Sequence, residues 1–373
     1  MLLSIYTSNR NNNFMLVRFI ASFLVLVTHS FSLQTGSIDL EPMREALGMS
    51  LGDIAVDVFF ITSGFLITSS YINRGNVFAF AWARILRIYP ALILAMIFSV
   101  FFIGPLFTNL NTLDYLLHPD TYKYFLKNIT LFFGIEYYLP GVFLDIPFKR
   151  VVNGSLWTLP FEIRMYAILA FILTIVICLR KKINVITIKN VTLFLGIFSI
   201  LYVILNHYIY ILPFESIFLE KFIRLFAMFF LGAMFYVWRE YITLSYKWFL
   251  ILFFLLLMST LYINIYFIVY NLTLPYLILF LAYVPGGTIR KFNNFGDYSY
   301  GMYIYAFPVQ QLLVSSYPNI SIINMIIFSF SITLILSIIS WHLVENRFLK
   351  MKNNYGFLEK ILQNLRIKPK CID

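Results

Sequence analysis

Two ionisable side chains in the first apolar segment of the chain share one helix face. Arg18 and His29 are eleven residues apart, or about three helical turns, so they project from the same side about 16 Å apart along the axis. Ser22 lies between them on the same stripe. A histidine among polar groups can act as a general base, whereas a single histidine in an apolar helix more often only packs. The shared face favours a catalytic role for His29 and Arg18.

Two carboxylates, Asp57 and Glu162, lie in other apolar segments, and Asp57 follows Asp53 at i, i+4. Both lie roughly 8 to 9 Å below the outer boundary of a layer about 30 Å thick, and His29 lies roughly 22 Å above the inner boundary. The three are therefore predicted to share one layer in the outer third of the membrane. There a carboxylate could orient the imidazole and stabilise its cation.

Ser63 and Gly64 follow Asp57 in the same segment, and Gly64 falls near the same helix face. A glycine there permits close approach of a ligand or, as is commoner in membranes, of another helix. We keep Ser63 and Gly64 as candidates for binding a donor substrate.

Arg84 and Arg87 stand one turn apart before Tyr89 and Pro90, at the predicted inner boundary of the third span. Two guanidinium groups at i, i+3 form a fork suited to phosphates, although a topogenic or lipid-anchoring role is an equal alternative. Glu345, at the end of the last apolar segment, could pair with them or sit in solvent.

Polar and aromatic side chains in two later segments suit a hydroxyl-rich ligand. Trp157 lies at a membrane interface, and Tyr303, Gln310 and Gln311 lie in the ninth span. Interfacial aromatics are usually belt residues, but two successive glutamines in the outer third are less routine. We predict that these four contact the substrate. The four histidines show no metal-ligand spacing, so no metal site is predicted.

The chain that must position these residues is too apolar for a water-soluble protein. Of its 373 residues, 61% are apolar and 12% are charged, whereas a soluble domain is about half apolar and a quarter charged. This composition excludes a cytosolic enzyme, a secreted disulfide scaffold and a disordered tail protein. The fold class predicted is an all-α polytopic membrane protein.

Ten apolar stretches are long enough to cross a bilayer, since a spanning helix needs about 20 residues. A further apolar segment, 123–139, is interrupted by charged and polar residues. We predict that it is re-entrant or interfacial, because counting it as a span would reverse the side of every later loop. The predicted spans are 14–34, 52–72, 89–108, 156–179, 191–212, 221–238, 247–268, 271–286, 298–316 and 321–345.

The positive charges indicate orientation. With the N-terminus inside, most of the 28 Lys and Arg residues fall in inside segments, so both termini are predicted to be cytoplasmic. The net charge of +11 is therefore an orientation signal, and no nucleic-acid partner is predicted. Residues 1–350 are predicted to form one transmembrane domain. Residues 351–373 are predicted to form a basic cytoplasmic tail lying on anionic lipid.

Six ordered motifs make the chain, over about residues 9–350, resemble the integral-membrane acyltransferase-3 family. It is most similar to the stand-alone O-acetyltransferases of that family that act on bacterial surface polysaccharides. The motifs are NNNF at 11–14 with RFIA at 18–21 and HS at 29–30, VDVFF at 56–60 with SGFLI at 63–67, RILRIYP at 84–90, NGSLWTLPFE at 153–162, YSYG at 298–301, and LVE at 343–345.

The resemblance implies a multi-pass protein of the bacterial inner membrane with ten spans. It implies an acyl-CoA donor, most commonly acetyl-CoA, reached from the cytoplasm, and no permanently bound cofactor. The acyl group would pass to a hydroxyl of a cell-surface glycan or of its lipid-linked precursor.

The resemblance also assigns roles to individual residues. His29 matches the catalytic histidine, Arg18 matches its partner across the cavity, and the arginines of the RILRIYP motif match those linked to the donor's phosphates. Family members often carry Asp where this chain has Met15. Asp57 or Glu162 is therefore expected to supply the counter-charge for Arg18.

Two mechanisms and two other protein classes remain open at this point. His29 could deprotonate the acceptor, or it could carry the acyl group itself in a relay. A transporter would also hold polar residues within its spans, although the chain lacks repeat symmetry and paired broken helices. A polysaccharide-binding scaffold would keep its function after loss of Arg84 and Arg87.

Overall fold

The structure is a computed structural model that describes residues 1–8, 11–132, 134–180, 187–209 and 217–356. These residues form helices joined by turns and short irregular segments, with isolated β-bridges. The greater part of the predicted basic tail, 357–373, lies outside the described residues. The α-helices are α1 (Leu3–Thr7), α2 (Phe14–Thr35), α3 (Arg44–Leu47), α4 (Leu51–Arg74), α5 (Val77–Ile97), α6 (Gly104–Phe107), α7 (Thr112–Leu117), α8 (Pro119–Thr130), α9 (Leu159–Arg180), α10 (Ile188–Ile209), α11 (Ile217–Val237), α12 (Tyr246–Ser259), α13 (Ile263–Tyr283), α14 (Ser299–Ser316), α15 (Ile322–Ser340) and α16 (Asn346–Lys350).

Seven helical stretches in the described residues are long and apolar enough to cross a membrane. They confirm the predicted all-α polytopic fold. Helices α11 and α14 have the length but carry more polar or charged residues, and α12 has only 14 residues. The seven stretches are Phe14–Thr35, Leu51–Arg74, Val77–Phe107, Gly154–Leu179, Ile188–Ile209, Ile263–Tyr283 and Ile322–Asn353.

Two helix boundaries differ from the predicted spans. The third long helix starts at Val77, before the predicted span start at 89, so the RILRIYP motif and Pro90 lie inside a helix. The predicted boundary assumed that Arg84 and Arg87 lie in a loop. Arg87 is instead neutralised within the helix bundle. The seventh and eighth predicted spans meet at 260–262 rather than at 269–270, because α13 already begins at Ile263.

Helix α8 covers much of the segment predicted to be re-entrant or interfacial. Its 12 residues extend about 18 Å, which is too short to cross a hydrocarbon layer about 30 Å thick. The segment that follows it, up to residue 153, has no regular helix in its described part. The predicted re-entrant or interfacial segment, 123–139, therefore does not add a membrane span.

Helix α14 lies at the centre of the bundle and packs against α2 and α15. Most of its residues are buried, including its glutamines and tyrosines. Because protein rather than lipid surrounds it, α14 can carry polar side chains at membrane depth.

Helices α4 and α11 approach each other more closely than side chains would allow. A Cβ built on Gly64 would lie 1.9 Å from the carbonyl oxygen of Phe229, and one built on Gly232 would lie 2.1 Å from that of Ile61. Both glycines therefore serve a backbone-to-backbone contact. The expectation that Gly64 contacts a donor is corrected accordingly.

Gly64→Ala should destabilise the fold, because the added methyl group meets backbone that cannot rotate away. We expect a loss of about 2 kcal/mol or more, seen as a lower thermal unfolding midpoint of the purified protein in detergent. Gly286→Ala is the matched control, since a Cβ there would meet only the Arg290 side chain at 3.9 Å. An unchanged midpoint for Gly64→Ala would contradict the close contact.

Candidate active site

Helices α2 and α4 run antiparallel, and contacts at both ends fix their register. Near one end, the ring centroids of Phe14 and Phe65 are 5.8 Å apart. Near the other end, a Cβ built on Gly52 would lie 3.2 Å from the Thr28 side chain. Moving one residue towards the C-terminus of α2 therefore corresponds to moving one residue towards the N-terminus of α4. The depths of polar residues on the two helices can be compared in this way.

Arg18 lines a cavity between α2, α4, α9 and α14. Its empty volume is about 420 Å³, part of it open to solvent. The Arg18 guanidinium lies 5.6 Å from the centre of the Phe59 ring, and its Nε is buried without a hydrogen-bond partner. The polar lining consists of Arg18, Ser63, Thr158, Glu162, Tyr300 and Tyr303.

Glu162 is the carboxylate of this cavity. Its Oε1 accepts hydrogen bonds from the Ser63 hydroxyl at 3.5 Å and from the Tyr166 hydroxyl. No ion pair joins Glu162 to Arg18 in the part of the chain that the structure describes. The structure therefore brings together four of the predicted site residues, Arg18, Ser63, Glu162 and Tyr303, around one space.

His29 lies outside this cavity lining, towards the other end of α2 and level with about residue 51 of α4. Its ring meets that of Phe307 edge to face, with centroids 5.2 Å apart. Its Nδ1 is buried and has no hydrogen-bond partner, and the ring interacts electrostatically with Asp53. An imidazole nitrogen without an internal partner is available to exchange a proton with a ligand.

The prediction of one layer holding His29, Asp57 and Glu162 is wrong. Glu162 bonds to Ser63 and therefore lies at the depth of Arg18. The α2–α4 register places Asp57 about 9 Å along the axis from His29. The predicted depths started from assumed span boundaries, whereas the helices are staggered against each other.

Asp57 is completely buried and neutralised by Arg224 of α11. The Arg224 Nη2 lies 2.9 Å from Oδ2 of Asp57, and its Nε lies 3.1 Å from Oδ1. Tyr270 donates a further hydrogen bond at 2.8 Å, and Arg224 Nη1 reaches Asp53 Oδ1 at 3.3 Å. The expected pairing of Asp57 with Arg18 is thus corrected: Asp57 ties α4 to α11 and α13.

The two arginines of the RILRIYP motif have different surroundings. Arg87 Nη2 lies 2.6 Å from Asp297 Oδ2, and its Nη1 lies 3.6 Å from Glu345 Oε2. Of the two alternatives left open for Glu345, pairing with an arginine is therefore the one observed. Arg84 has no such ion pair within the described residues, its Nε is buried without a partner, and its guanidinium lies 6.0 Å from the Phe80 ring centre. The two guanidinium groups are therefore not equivalent, and their binding of a donor's phosphates stays a prediction.

The two glutamines of α14 bond to the protein. The Gln310 amide nitrogen donates to the Leu26 carbonyl at 2.7 Å. That of Gln311 donates to the carbonyls of Phe148 and Val151 at 2.9 and 2.7 Å. Only their Oε1 atoms lack a partner. Both side chains are buried, and their amide nitrogens tie α14 to α2 and to the segment before α9. The predicted contact with substrate would therefore have to use the Oε1 atoms.

Trp157 lies next to the cavity but does not line it. Its ring lies 4.6 Å from the Lys221 ammonium and 5.8 Å from the ring of Phe161. The structure therefore places it in an aromatic and cationic surface at the start of α9 and α11. The described ranges contain no group of three His, Cys, Asp or Glu side chains that could hold a metal ion.

Comparison with known proteins places the chain in a family. A family model described as an acyltransferase domain matches residues 11–342. The chain belongs to the acyltransferase-3 family. It is 30% identical over 358 residues to an O-acetyl transferase of Shigella phage Sf6, covering 91% of this chain and 97% of that protein. It is 32% identical over 177 residues to Nodulation protein 10 of Rhizobium leguminosarum bv. viciae, covering 46% of each. No solved structure matches significantly.

Several residues that shape this acyltransferase site were missed by sequence reasoning. Asp53 and Arg224 form the charge cluster beside His29, and Tyr166 bonds to Glu162. The signals were present: Arg224 lies inside a span, and Tyr166 follows Glu162 at i, i+4. Asp297, directly before the YSYG motif, carried no such signal.

Asp297→Asn should destabilise this acyltransferase, because it leaves Arg87 with only the weaker contact to Glu345. We expect a loss of about 3 kcal/mol, measured as a lower thermal unfolding midpoint. Adding Arg87→Gln to Asp297→Asn should cost less than the sum of the single changes, because the two residues share one interaction. Asp39→Asn, at an exposed position, is the control. Strictly additive effects would contradict the pairing.

Proposed function

We propose that this protein transfers an acetyl group from acetyl-CoA to a hydroxyl of a bacterial surface glycan or of its lipid-linked precursor. The observation that carries the proposal is the polar cavity lined by Arg18, Ser63, Glu162 and Tyr303 in a chain of this acyltransferase family. An O-acetyl transferase covered over almost its whole length supports transfer to oxygen. The family assignment favours this enzyme over a transporter.

The donor is proposed to enter from the cytoplasm with its phosphates near Arg84. The pantetheine arm would extend along the cavity past Glu162 and Arg18, and the thioester would reach His29. Arg18 and His29 are about 16 Å apart along α2, so only a long, thin donor arm can contact both. The enzyme is proposed to lie in the bacterial inner membrane, with residues 1–350 as its catalytic domain and 351–373 as a cytoplasmic tail.

His29 is proposed to act as the general base. Its unprotonated ring nitrogen takes the proton from the acceptor hydroxyl as the oxygen attacks the thioester carbonyl. The carbon–sulfur bond then breaks, and the imidazolium returns the proton to the CoA thiolate. Asp53 is the carboxylate that interacts electrostatically with the ring.

His29→Ala should abolish acetyl transfer while the protein still inserts in the membrane. Loss of a general base costs about 10²- to 10⁴-fold in rate. The measurement is glycan-dependent release of CoA from acetyl-CoA by membranes containing the variant. Thr35→Ala, at an exposed position near the end of the same helix, should keep wild-type activity. Near wild-type turnover by His29→Ala would rule out its catalytic role.

Two substitutions should distinguish a carboxylate that takes part in the reaction from one that stabilises the fold. They are Glu162→Gln, in the cavity, and Asp57→Asn, in the pair with Arg224. Glu162→Gln keeps the shape of the cavity and removes its charge, so the rate per folded molecule should fall about tenfold or more. Asp57→Asn leaves Arg224 poorly compensated, so the yield of folded protein should fall by more than the rate per folded molecule. The reverse pattern would assign Asp57 to the chemistry.

A further inference from the structure

The segment directly before α9 carries a buried hydroxyl group that makes no bond within the fold. Residues Gly154–Thr158 form a short 3₁₀ helix, and Ser155 within it is completely buried. The Ser155 Oγ has no hydrogen-bond partner among the described residues. Burying a hydroxyl without a partner is unfavourable, so alanine would suit this position better unless a ligand bonds to the hydroxyl.

The position of Ser155 at the start of its helix explains why the hydroxyl stays unpaired. Within a long helix, a buried serine can donate to a carbonyl one turn earlier, as Ser30 does to Leu26 at 2.9 Å. No helical turn precedes Ser155. Its backbone nitrogen instead donates to the Asn153 side chain at 3.2 Å, and the amide nitrogen of that side chain donates to the Ile304 carbonyl at 2.9 Å. The backbone is thus fixed against α14, while the hydroxyl keeps its capacity to donate and to accept.

Ser155 lies one helical turn from the cavity. Side chains three residues apart in a 3₁₀ helix are eclipsed and about 6 Å apart along its axis. Ser155 therefore projects from the same face as Thr158, which lines the cavity and bonds to the Tyr303 hydroxyl at 2.7 Å. Thr333 of α15 is likewise buried without a partner, but α15 supplies no residue of the cavity lining. The location of Ser155, and not its burial alone, therefore singles it out.

Ser155 also follows the residue that packs on the neighbour of His29. A Cβ built on Gly154 would lie 2.5 Å from the Phe307 ring, and the centroid of that ring lies 5.2 Å from that of the His29 imidazole. The hydroxyl therefore lies between the cavity, which is proposed to hold the donor arm, and the proposed base.

A hydroxyl at this place can donate a hydrogen bond, which the other unpartnered groups close to Phe307 do not. The Oε1 atoms of Gln310 and Gln311 are also buried without a partner, but an amide oxygen can only accept. The imidazole of His29 accepts a proton in the proposed mechanism. A fixed donor inside the protein stabilises a developing negative charge strongly, because it does not have to reorganise during the reaction.

We propose that the Ser155 hydroxyl donates a hydrogen bond to the carbonyl oxygen of the donor thioester and stabilises the negative charge that develops there. This inference rests on the proposed function and adds a catalytic residue to it. As the acceptor oxygen attacks the thioester carbon, the carbonyl electron pair moves onto that oxygen and His29 takes the acceptor's proton. The carbonyl re-forms as the carbon–sulfur bond breaks, and His29 returns the proton to the CoA thiolate. Ser155 keeps its own proton throughout.

The test is the rate of acetyl transfer by the full-length protein in membranes of the producing bacterium, after removal of the chromosomal copy. Radiolabelled acetyl-CoA is the donor, and alkali-deacetylated surface glycan is added at increasing concentration as the acceptor. Maximal rates per folded molecule, KM values for both substrates and thermal unfolding midpoints are compared for the wild type, Ser155→Ala and Ser155→Cys. Thr333→Val is the matched control, since it removes another buried and unpartnered hydroxyl away from the cavity.

Ser155→Ala should lower the maximal rate about 10²- to 10³-fold, which is the loss expected for one donor to a developing oxyanion. The KM values for acetyl-CoA and for the glycan should change little, because the contact strengthens only in the transition state. The unfolding midpoint should not fall, since alanine buries no unpaired hydroxyl. Ser155→Cys keeps a weaker donor and should have an intermediate rate, and Thr333→Val should keep the wild-type rate.

A wild-type maximal rate per folded molecule in Ser155→Ala would overturn the inference. A rate loss that disappears at saturating glycan would overturn it as well, because Ser155 would then contact the acceptor and not the thioester. If the wild type transfers no acetyl group from acetyl-CoA, the proposed function fails and the inference fails with it. That result is distinct from a loss of the inference alone, in which the wild type is active and Ser155→Ala is equally active.

Discussion

A charge inside this helical bundle has to find its partner within the protein, because hydrocarbon neither solvates ions nor donates hydrogen bonds. Most interior charges meet this requirement through cross-helix pairs. Arg224 holds Asp57 and Asp53, and Arg87 holds Asp297 and Glu345. Removing Arg224 would leave the buried Asp57 uncompensated, whereas Asp53 would keep its contact with Arg44. Removing Arg87 would leave Asp297 and Glu345 uncompensated, so these pairs constrain how α4, α5, α11 and the last span can pack.

The interior groups left over by this pairing are the ones with capacity for a ligand. Nε of Arg18, Nε of Arg84 and Nδ1 of His29 are all buried without a hydrogen-bond partner. They come from two helices and differ in depth, so no single protein group could satisfy all three. A substrate that carries an anion at one end and a reactive carbonyl at the other could do so in one bound position.

The sequence predicts the individual polar residues better than their partners. Arg18, Glu162 and His29 are recognisable because each interrupts an apolar stretch. Their pairing is not recognisable, because it depends on which helices become neighbours: Arg224 is 167 residues from Asp57, and Asp297 is 210 residues from Arg87. The predicted membrane depths of these residues were wrong for a related reason. The stagger between two helices depends on how they pack, and the length of each span does not determine it.

The central position of α14 explains why its polar residues serve the structure near His29. Gln310 bonds to the carbonyl of Leu26, one turn before His29, and Phe307 meets the imidazole ring itself. A Cβ built on Gly154 would lie 2.5 Å from the Phe307 ring, so the NGSLWTLPFE motif packs directly against that ring. The motif and His29 therefore contact the same aromatic side chain. Because Asn153 also bonds to the Ile304 carbonyl at 2.9 Å, the segment before α9, helix α14 and the His29 ring are held as one unit, and the same motif continues to Glu162 in the cavity. The orientation of the proposed base and the cavity wall are therefore coupled through one continuous stretch of chain.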